Sequence, residues 1–295
     1  MNWMRFRPLY LLISGSALGF AVWAILTWGF RLSIDFTGGS IVEYRVEGEE
    51  QVKSIERVIG EETEYRLKDL RSLGPANVEF RFGPEFVHED SQKLTDKLKE
   101  EIDDVEFLKY ETVGPVLSQE LLRKTYIAIA IATFGILVFV AWSFKSFKFG
   151  LSAILAMLHD ILVVLGAFAV LGYYRGVEID ILFVTAVLTT LSFSVHDTIV
   201  VYDRIRESAR KFPGESVFDL ANKAVSETMV RSVNNSLTII FMLFALFLMG
   251  GLSVKWFVFA LLVGTISGTY SSPFVAVPLL VTWDQIQKRI RNKIV

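Results

Sequence analysis

Residues 126–144 read YIAIAIATFGILVFVAWSF, nineteen consecutive positions without a charged side chain. As a helix such a stretch rises about 28 Å, close to the ~30 Å hydrocarbon core of a bilayer. Lipid offers no partners to backbone N–H and C=O groups, so a helix is the natural form, and the run is too long and continuous for a barrel strand. The same pattern recurs over residues 9–30, 149–173, 179–202 and 256–281. A further span covers 231–250, with its apolar part at 233–249. The expected fold is therefore an α-helical polytopic membrane protein with six transmembrane helices. The composition agrees, since 52% of the 295 residues are hydrophobic and the mean hydropathy is +0.45, too apolar for an ordinary soluble chain. The run at 9–30 is long, and Gly29–Phe30–Arg31 is a poor cleavage site, so it reads as a retained signal anchor.

Residues 31–123, between the first two spans, are charged and broken by turn signals. Residues 40–46, 78–82 and 105–110 alternate as strands. Residues 49 to about 71, ended by Gly74–Pro75, have helical spacing, and so do 91–102, where Leu94, Leu98 and Ile102 share one stripe. The order β-α-β-α-β predicts a small α/β domain. Phe80 and Phe82 fit the buried face of a strand better than a stacking platform, and His88 reads as a surface residue. Lysines and arginines set the orientation: fourteen fall in segments on the amino-terminal side of the membrane, against five near the opposite ends. That bias predicts both termini in the cytoplasm and residues 31–123 outside. The connection at 203–230 is expected to carry a short amphipathic helix near 216–224, and 282–295 to form a basic cytoplasmic tail.

Ionisable groups inside a membrane are costly, so they are paired or functional. Asp160, next to His159, lies about 16 Å along the third span; it reads either as a hydrogen-bond partner to a neighbouring helix or as part of an ion path. In the fourth span Thr190, Ser194 and Asp197 share a helix face. Asp197 can hold or release a proton as its surroundings change; a partly hydrated aspartate is the plainer alternative. Adjacent His196 is a candidate modulator. Arg231, Asn234, Asn235 and Thr238 form a polar face entering the fifth span. Arg231 stays protonated and can tune a nearby carboxylate, or else serve as an inside anchor. Gly264 and Gly268 favour close helix packing, and Pro273 and Pro278 bend or end the last helix.

The chain has no cysteine, three histidines and a net charge of -2, which leaves no disulfide, no expected metal site and no nucleic-acid partner. It carries no phosphate-binding loop, zinc-protease motif or nucleophile motif. We therefore expect no enzyme and no cofactor, with energy drawn from an ion gradient or a partner.

Several segments resemble one family. Ile34–Asp35–Phe36–Thr37–Gly38–Gly39 is similar to a signature following the first span, with Ser33 where that family usually has glycine. Residues 114–121, beginning Gly114–Pro115, resemble the motif leading into the second span, and His159–Asp160 matches a third-span pair. Residues 194–207 resemble a fourth-span signature, with His196 and Ser208 at places where asparagine is more usual. Arg231, within 228–232, falls where the family has an arginine. The family is SecF, the smaller subunit of the SecD–SecF accessory complex of protein export. The resemblance implies half of a bundle like that of resistance-nodulation-division (RND) transporters, completed by SecD, with a ferredoxin-like outer domain. It also implies work driven by a proton or sodium gradient after the SecA and ATP phase, with Asp197 and Arg231 on the ion path. Implied partners are SecD, the SecYEG channel, preproteins and membrane lipids, with YajC and YidC as further candidates. An ion-driven exporter of small molecules or lipids is the runner-up, and a purely structural translocon scaffold is the third reading.

Overall fold

The computed structural model describes residues 2–46, 48–62, 67–72, 77–102, 104–144 and 146–294. The chain divides into two compact units, residues 32–126 and the remainder.

The smaller unit holds strands β1 (Gly39–Arg45), β2 (Asp69–Ser72), β3 (Asn77–Phe82) and β4 (Glu106–Val113). Helices α2 (Ile34–Thr37), α3 (Glu49–Glu62) and α4 (His88–Glu101) lie among them in the chain; α1 belongs to the other unit. The sheet order is β2-β3-β1-β4, with every pairing antiparallel. Alternation puts Val42, Tyr44, Val78, Phe80 and Phe82 on one face, where they bury against Ile55, Val58 and Ile59 of α3 and Leu98 of α4. Phe80 and Phe82 are core residues, as their spacing predicted. The Tyr44 hydroxyl meets Thr95 Oγ1 at 3.0 Å, and burial pushes the Tyr44 phenol up to about 12.

Two expectations need correction here. Among the described residues the sheet has four strands rather than three, and residues 69–72, expected at the end of a helix, form a strand, while α3 covers Glu49–Glu62. Residues 69–72 pair with Arg81–Val78 instead. The ladder satisfies their backbone groups, and so outweighs a weak helical spacing rich in charge. The Gly74–Pro75 stop lies outside the described residues, as does Lys145.

The larger unit contains six helices long and apolar enough to cross a membrane. A 3-10 turn (Trp3–Phe6) leads into α1 (Arg7–Trp28). It is followed by α5 (Pro115–Phe144), whose first residues belong to the smaller unit, then by α6 (Phe147–Arg175) and α7 (Ile181–Lys211). α8 (Val217–Met249) and α9 (Leu252–Ser271) come next, and a π turn (Ser272–Ala276) joins α9 to α10 (Val277–Ile294). Asp180 caps α7, its side chain accepting from Phe183 N at 2.7 Å. Ser216 caps α8 by accepting from Asp219 N.

The short helix expected near 216–224 is instead the first part of α8, continuous to Met249. The residues assigned to a connection at 203–230 are thus shared between the end of α7 and the start of α8. Leu220, Ala221, Ala224 and Val225 bury in the same core as α6, α7 and α10, so packing carries the helix straight through. Pro273 does not end the last helix. It is absorbed by the π turn, a common accommodation of a missing N–H.

Small residues set how closely the helices approach. A Cβ at Gly166 of α6 would lie 2.5 Å from the Cβ of Ala21 on α1. Gly264 and Gly268 of α9 face Thr190 and Ser194 of α7, as the close-packing reading anticipated. Large apolar side chains such as Leu26, Phe134, Trp142 and Phe241 point outward, the arrangement expected when lipid is the solvent.

Gly166→Ala should therefore lower the stability of the purified chain in detergent by ~1–3 kcal/mol, the usual range for overpacking. Gly15→Ala, which meets nothing within 4 Å, should be neutral or slightly stabilising by helix propensity. Thermal unfolding of the two variants side by side measures the difference.

Candidate functional site

Asp160 is fully enclosed where α6, α7 and α9 meet. Its Oδ2 accepts hydrogen bonds from Ser194 Oγ of α7 at 2.5 Å and Ser271 Oγ of α9 at 2.6 Å. Its Oδ1 accepts from Ser267 Oγ of α9 at 2.6 Å and lies 3.0 Å from His159 Nδ1. Three hydroxyls and one ring nitrogen thus surround the two oxygens. The hydrogen-bonding alternative raised for Asp160 is thus realised in full, with donors from two neighbouring helices as well as from His159. The serines of α9 are one helical turn apart and interleave with Gly264 and Gly268. Those glycines bring the helix close enough for serine, the shortest hydroxyl side chain, to reach Asp160.

Asp197 occupies a different setting on α7. It is buried, and its Oδ2 accepts from Ser232 Oγ of α8 at 2.6 Å. Thr198, next in the chain, hydrogen-bonds to Ser272 in the π turn at 3.0 Å. Ser194 and Asp197 are three residues apart, so one turn of α7 carries contacts to both carboxylates.

The structure does not join Asp197 to Arg231. Ser232 turns inward to Asp197, while Arg231, Asn234, Asn235 and Thr238 are exposed on the other side of α8. Among the described residues Arg231 has no ion-pair partner. It borders a cavity of about 450 Å³ between α7 and α8, lined also by Val200, Asp203, Arg204, Glu207, Glu227 and Thr228. Arg204, in the lining of this cavity, pairs with Glu207 at 2.6 Å and with Glu227. Thr190 is buried against α9 and Ser194 bonds Asp160, so the face shared by Thr190, Ser194 and Asp197 is in contact with neighbouring helices. His196 lies on the exposed side of α7 with Thr185, Thr189 and Ser192, spaced four, three and four residues apart along one stripe.

Sequence reasoning missed Ser232, Ser267 and Ser271. The signal for Ser267 and Ser271 was present, because hydroxyls one turn apart in an apolar span mark an interhelical contact. Ser232 adjoins Arg231, whose charge is the stronger signal in the sequence and lies on another face of α8.

In the smaller unit the two glycine-containing motifs meet. Ser33 caps α2, its Oγ accepting from Asp35 N at 3.2 Å, and Thr37 Oγ1 donates to the Ser33 carbonyl at 3.0 Å. Gly38 and Gly39 then take φ of 69° and 132°, conformations that favour glycine. A Cβ at Gly39 would lie 2.7 Å from the Phe82 carbonyl oxygen, and one at Gly38 would lie 3.2 Å from Ser118 Oγ. Ser118 N donates to the Gly114 carbonyl and Ser118 Oγ to the Pro115 carbonyl. The turn of Asp35, Phe36, Thr37, Gly38 and Gly39 thereby abuts the turn that starts α5.

Six apolar helices enclosing two carboxylates, with a four-stranded domain inserted after the first, define a multi-pass membrane protein with ionisable groups in its core. Residues 93–286 match the family described as protein export membrane protein SecD/SecF, C-terminal, and residues 23–50 match the SecD/SecF GG motif. The chain is 42% identical over 276 residues to the protein translocase subunit SecF of Thermobaculum terrenum, covering 88% of this chain and 86% of that one. It is 34% identical over 293 residues to the protein translocase subunit SecF of Anaerolinea thermophila, covering 96% and 94%. Among solved structures it is similar to SecDF, a translocon-associated membrane protein from Thermus thermophilus, with TM-score 0.84 and 30% identity over 97% of this chain. A SecDF structure in a super-membrane-facing form gives 0.70 and 31% over 100% of this chain. The chain spans 39% and 40% of those SecDF chains. The chain belongs to the SecF family of protein translocase subunits.

Removing one donor from the enclosed carboxylate should be felt. Ser271→Ala is expected to lower the stability of the purified chain by ~1.5–3 kcal/mol, the range for a hydrogen bond to a charged group. Asn234→Ala, at an exposed position, should stay within ~0.5 kcal/mol of the parent. Equal losses in denaturation of the two variants would remove the special status of the Asp160 cluster.

Proposed function

We propose that this SecF-family chain is an accessory subunit of the Sec translocase that pairs with a SecD-type subunit. In this reading ion movement past Asp197 and Arg231 drives the late stage of preprotein translocation, after SecA and ATP have acted. One observation carries it: polar side chains line the outward faces of two membrane-spanning helices on either side of a buried carboxylate. Thr185, Thr189, Ser192 and His196 of α7, and Arg231, Asn234, Asn235 and Thr238 of α8, are exposed. Such groups are expensive to leave against hydrocarbon and are normally covered by protein or by a hydrated path. A second subunit against this face would complete both the bundle and the path.

Within the site, Asp197 is the proton- or sodium-binding group, held by Ser232 in the state described. Arg231 supplies a fixed positive charge at the mouth of the cavity between α7 and α8. A rotation of α8 about its axis by about 100° would exchange the Ser232 hydroxyl for the Arg231 guanidinium as the partner of Asp197. Asp160, with its acceptor sites filled, belongs to the coupling set through its charge.

The six helices serve as half of an RND-like bundle. The β-α-β-β-α-β order with strand order β2-β3-β1-β4 supports a ferredoxin-like domain. The lysine and arginine bias supports both termini in the cytoplasm and that domain outside, facing its SecD counterpart or the outer face of SecYEG. YajC and YidC are further candidate partners. The chain acts as a transport subunit, not an enzyme. The exporter reading is disfavoured because the similar proteins are translocase subunits.

Asp197→Asn should reduce gradient-dependent export to the level seen without a gradient, while co-purification with the SecD-type subunit is unchanged. Full activity in that variant overturns the assigned role. Arg231→Lys should retain more activity than Arg231→Ala if charge matters more than the guanidinium fork. Recovery of small-molecule exporter components in place of SecD in a pull-down would favour the alternative.

A further inference from the structure

Three serine hydroxyls and His159 Nδ1 already meet the oxygens of Asp160. It has no exposed surface, and among the described residues no lysine or arginine pairs with it. The one cationic partner open to it is His159, through the bond from Nδ1 to Oδ1 at 3.0 Å. That bond has a second consequence. With Nδ1–H committed to the carboxylate, the neutral imidazole must keep its lone pair on Nε2. His159 Nε2 is buried and has no hydrogen-bond partner among the described residues. His159 also lines a groove of about 360 Å³ between α1, α6 and α9. The wall is mostly apolar, with Ser14, Ser267 and Tyr270 as its other polar members.

We propose that His159 and Asp160 form a second proton-binding site, separate from Asp197, in which the proton is taken up on His159 Nε2. A hydronium ion reaching the groove gives its proton to Nε2 and leaves as water. The imidazolium then keeps its Nδ1–H bond to Asp160, and the pair changes from net negative to neutral. This deepens the reading of Asp160 as part of the coupling set, because it names where the charge of that cluster changes. The carboxylate sets the tautomer and does not itself take the proton.

The neighbouring titratable groups are few. α9 presents Tyr270, whose hydroxyl meets Ser14 at 3.2 Å and donates to the Tyr10 carbonyl at 3.2 Å; α1 presents Tyr10. α7 presents Asp197, bonded to Ser232, and His196, which is exposed. α10 presents Asp284, paired with Lys148 and Lys288; Lys148 is about 16 Å along α6 from His159. None of these holds His159 Nε2.

The chain has only three histidines, so nitrogen-15 labelling of the imidazoles gives a direct test. The full chain, labelled alone and reconstituted with an unlabelled SecD-type partner in lipid nanodiscs, is titrated from about pH 8 to about pH 5, the range in which histidine changes charge. His88→Gln and His196→Gln, both at exposed positions, assign the remaining signals to His159 without disturbing the buried cluster. The expected result is that His159 Nδ1 stays protonated throughout while Nε2 moves from the unprotonated to the protonated range. Asp160→Asn should abolish the fixed tautomer. The same titration in Asp197→Asn should be preserved even where export is lost, which separates failure of this site from failure of the Asp197 reading. An Nε2 that stays in one state across the range, or an Nδ1 that is the unprotonated nitrogen, overturns the proposal.

Discussion

The membrane unit depends on one interaction above the others: a carboxylate with no exposed surface, held by donors from three helices. An unpaired carboxylate in such a place would cost several kcal/mol. Ser194, Ser267, Ser271 and His159 together remove that cost, but only if α7 and α9 stand at the right distance from α6. The glycines of α9 provide that distance, since Gly268 lies against Ser194 and Gly264 against Thr190. Packing and polar satisfaction therefore constrain each other. The π turn follows directly after Ser271, where Ser272 Oγ donates to the Gly268 carbonyl at 3.1 Å and Thr198 bonds across to Ser272. The irregular backbone is placed where hydroxyl side chains can satisfy it.

The two buried aspartates are equipped for different work. Asp160 is tied to α7 and α9 by several short bonds, which makes that part of the bundle one body. Among the described residues Asp197 is tied to α8 by one hydrogen bond, from Ser232. If one interface is to shift, the α7–α8 contact is the weaker one, and it has a polar cavity and the Arg204–Glu227 pair at one end. Because Ser194 and Asp197 share a turn of α7, a change in charge at Asp197 or at the His159–Asp160 pair is felt by the same helix segment. On this account a rigid group of helices carries the charge cluster, and α8 is the element that responds.

Much of this was legible from residues alone. Six apolar runs, the inserted domain and the positions of His159, Asp160, Asp197 and Arg231 followed from hydropathy and from the cost of charge in lipid. The role of Gly264 and Gly268 followed from spacing. What stayed hidden depended on which way a helix turns. Arg231 and Ser232 are neighbours in sequence, about 100° apart on the helix, and only the packed bundle decides that serine faces Asp197. Strand β2 was hidden because its residues, Asp69, Leu70, Arg71 and Ser72, have little strand character of their own. Their pairing with β3 makes them a strand. The continuity of α8 was hidden by charged residues between 203 and 231, which suggested a connection where buried Leu220, Ala224 and Val225 sustain a helix.

The central proposal is that Asp197 binds and releases the coupling ion, here taken as the proton, as the assembled complex uses its gradient. Isotope-edited infrared difference spectroscopy on aspartate-labelled complex in sealed proteoliposomes reads this directly. A protonated-carboxyl band should appear and disappear as the gradient is imposed and collapsed, and it should be missing in Asp197→Asn. A band that responds equally in that variant, or no gradient-responsive carboxyl band in the parent, would contradict the account.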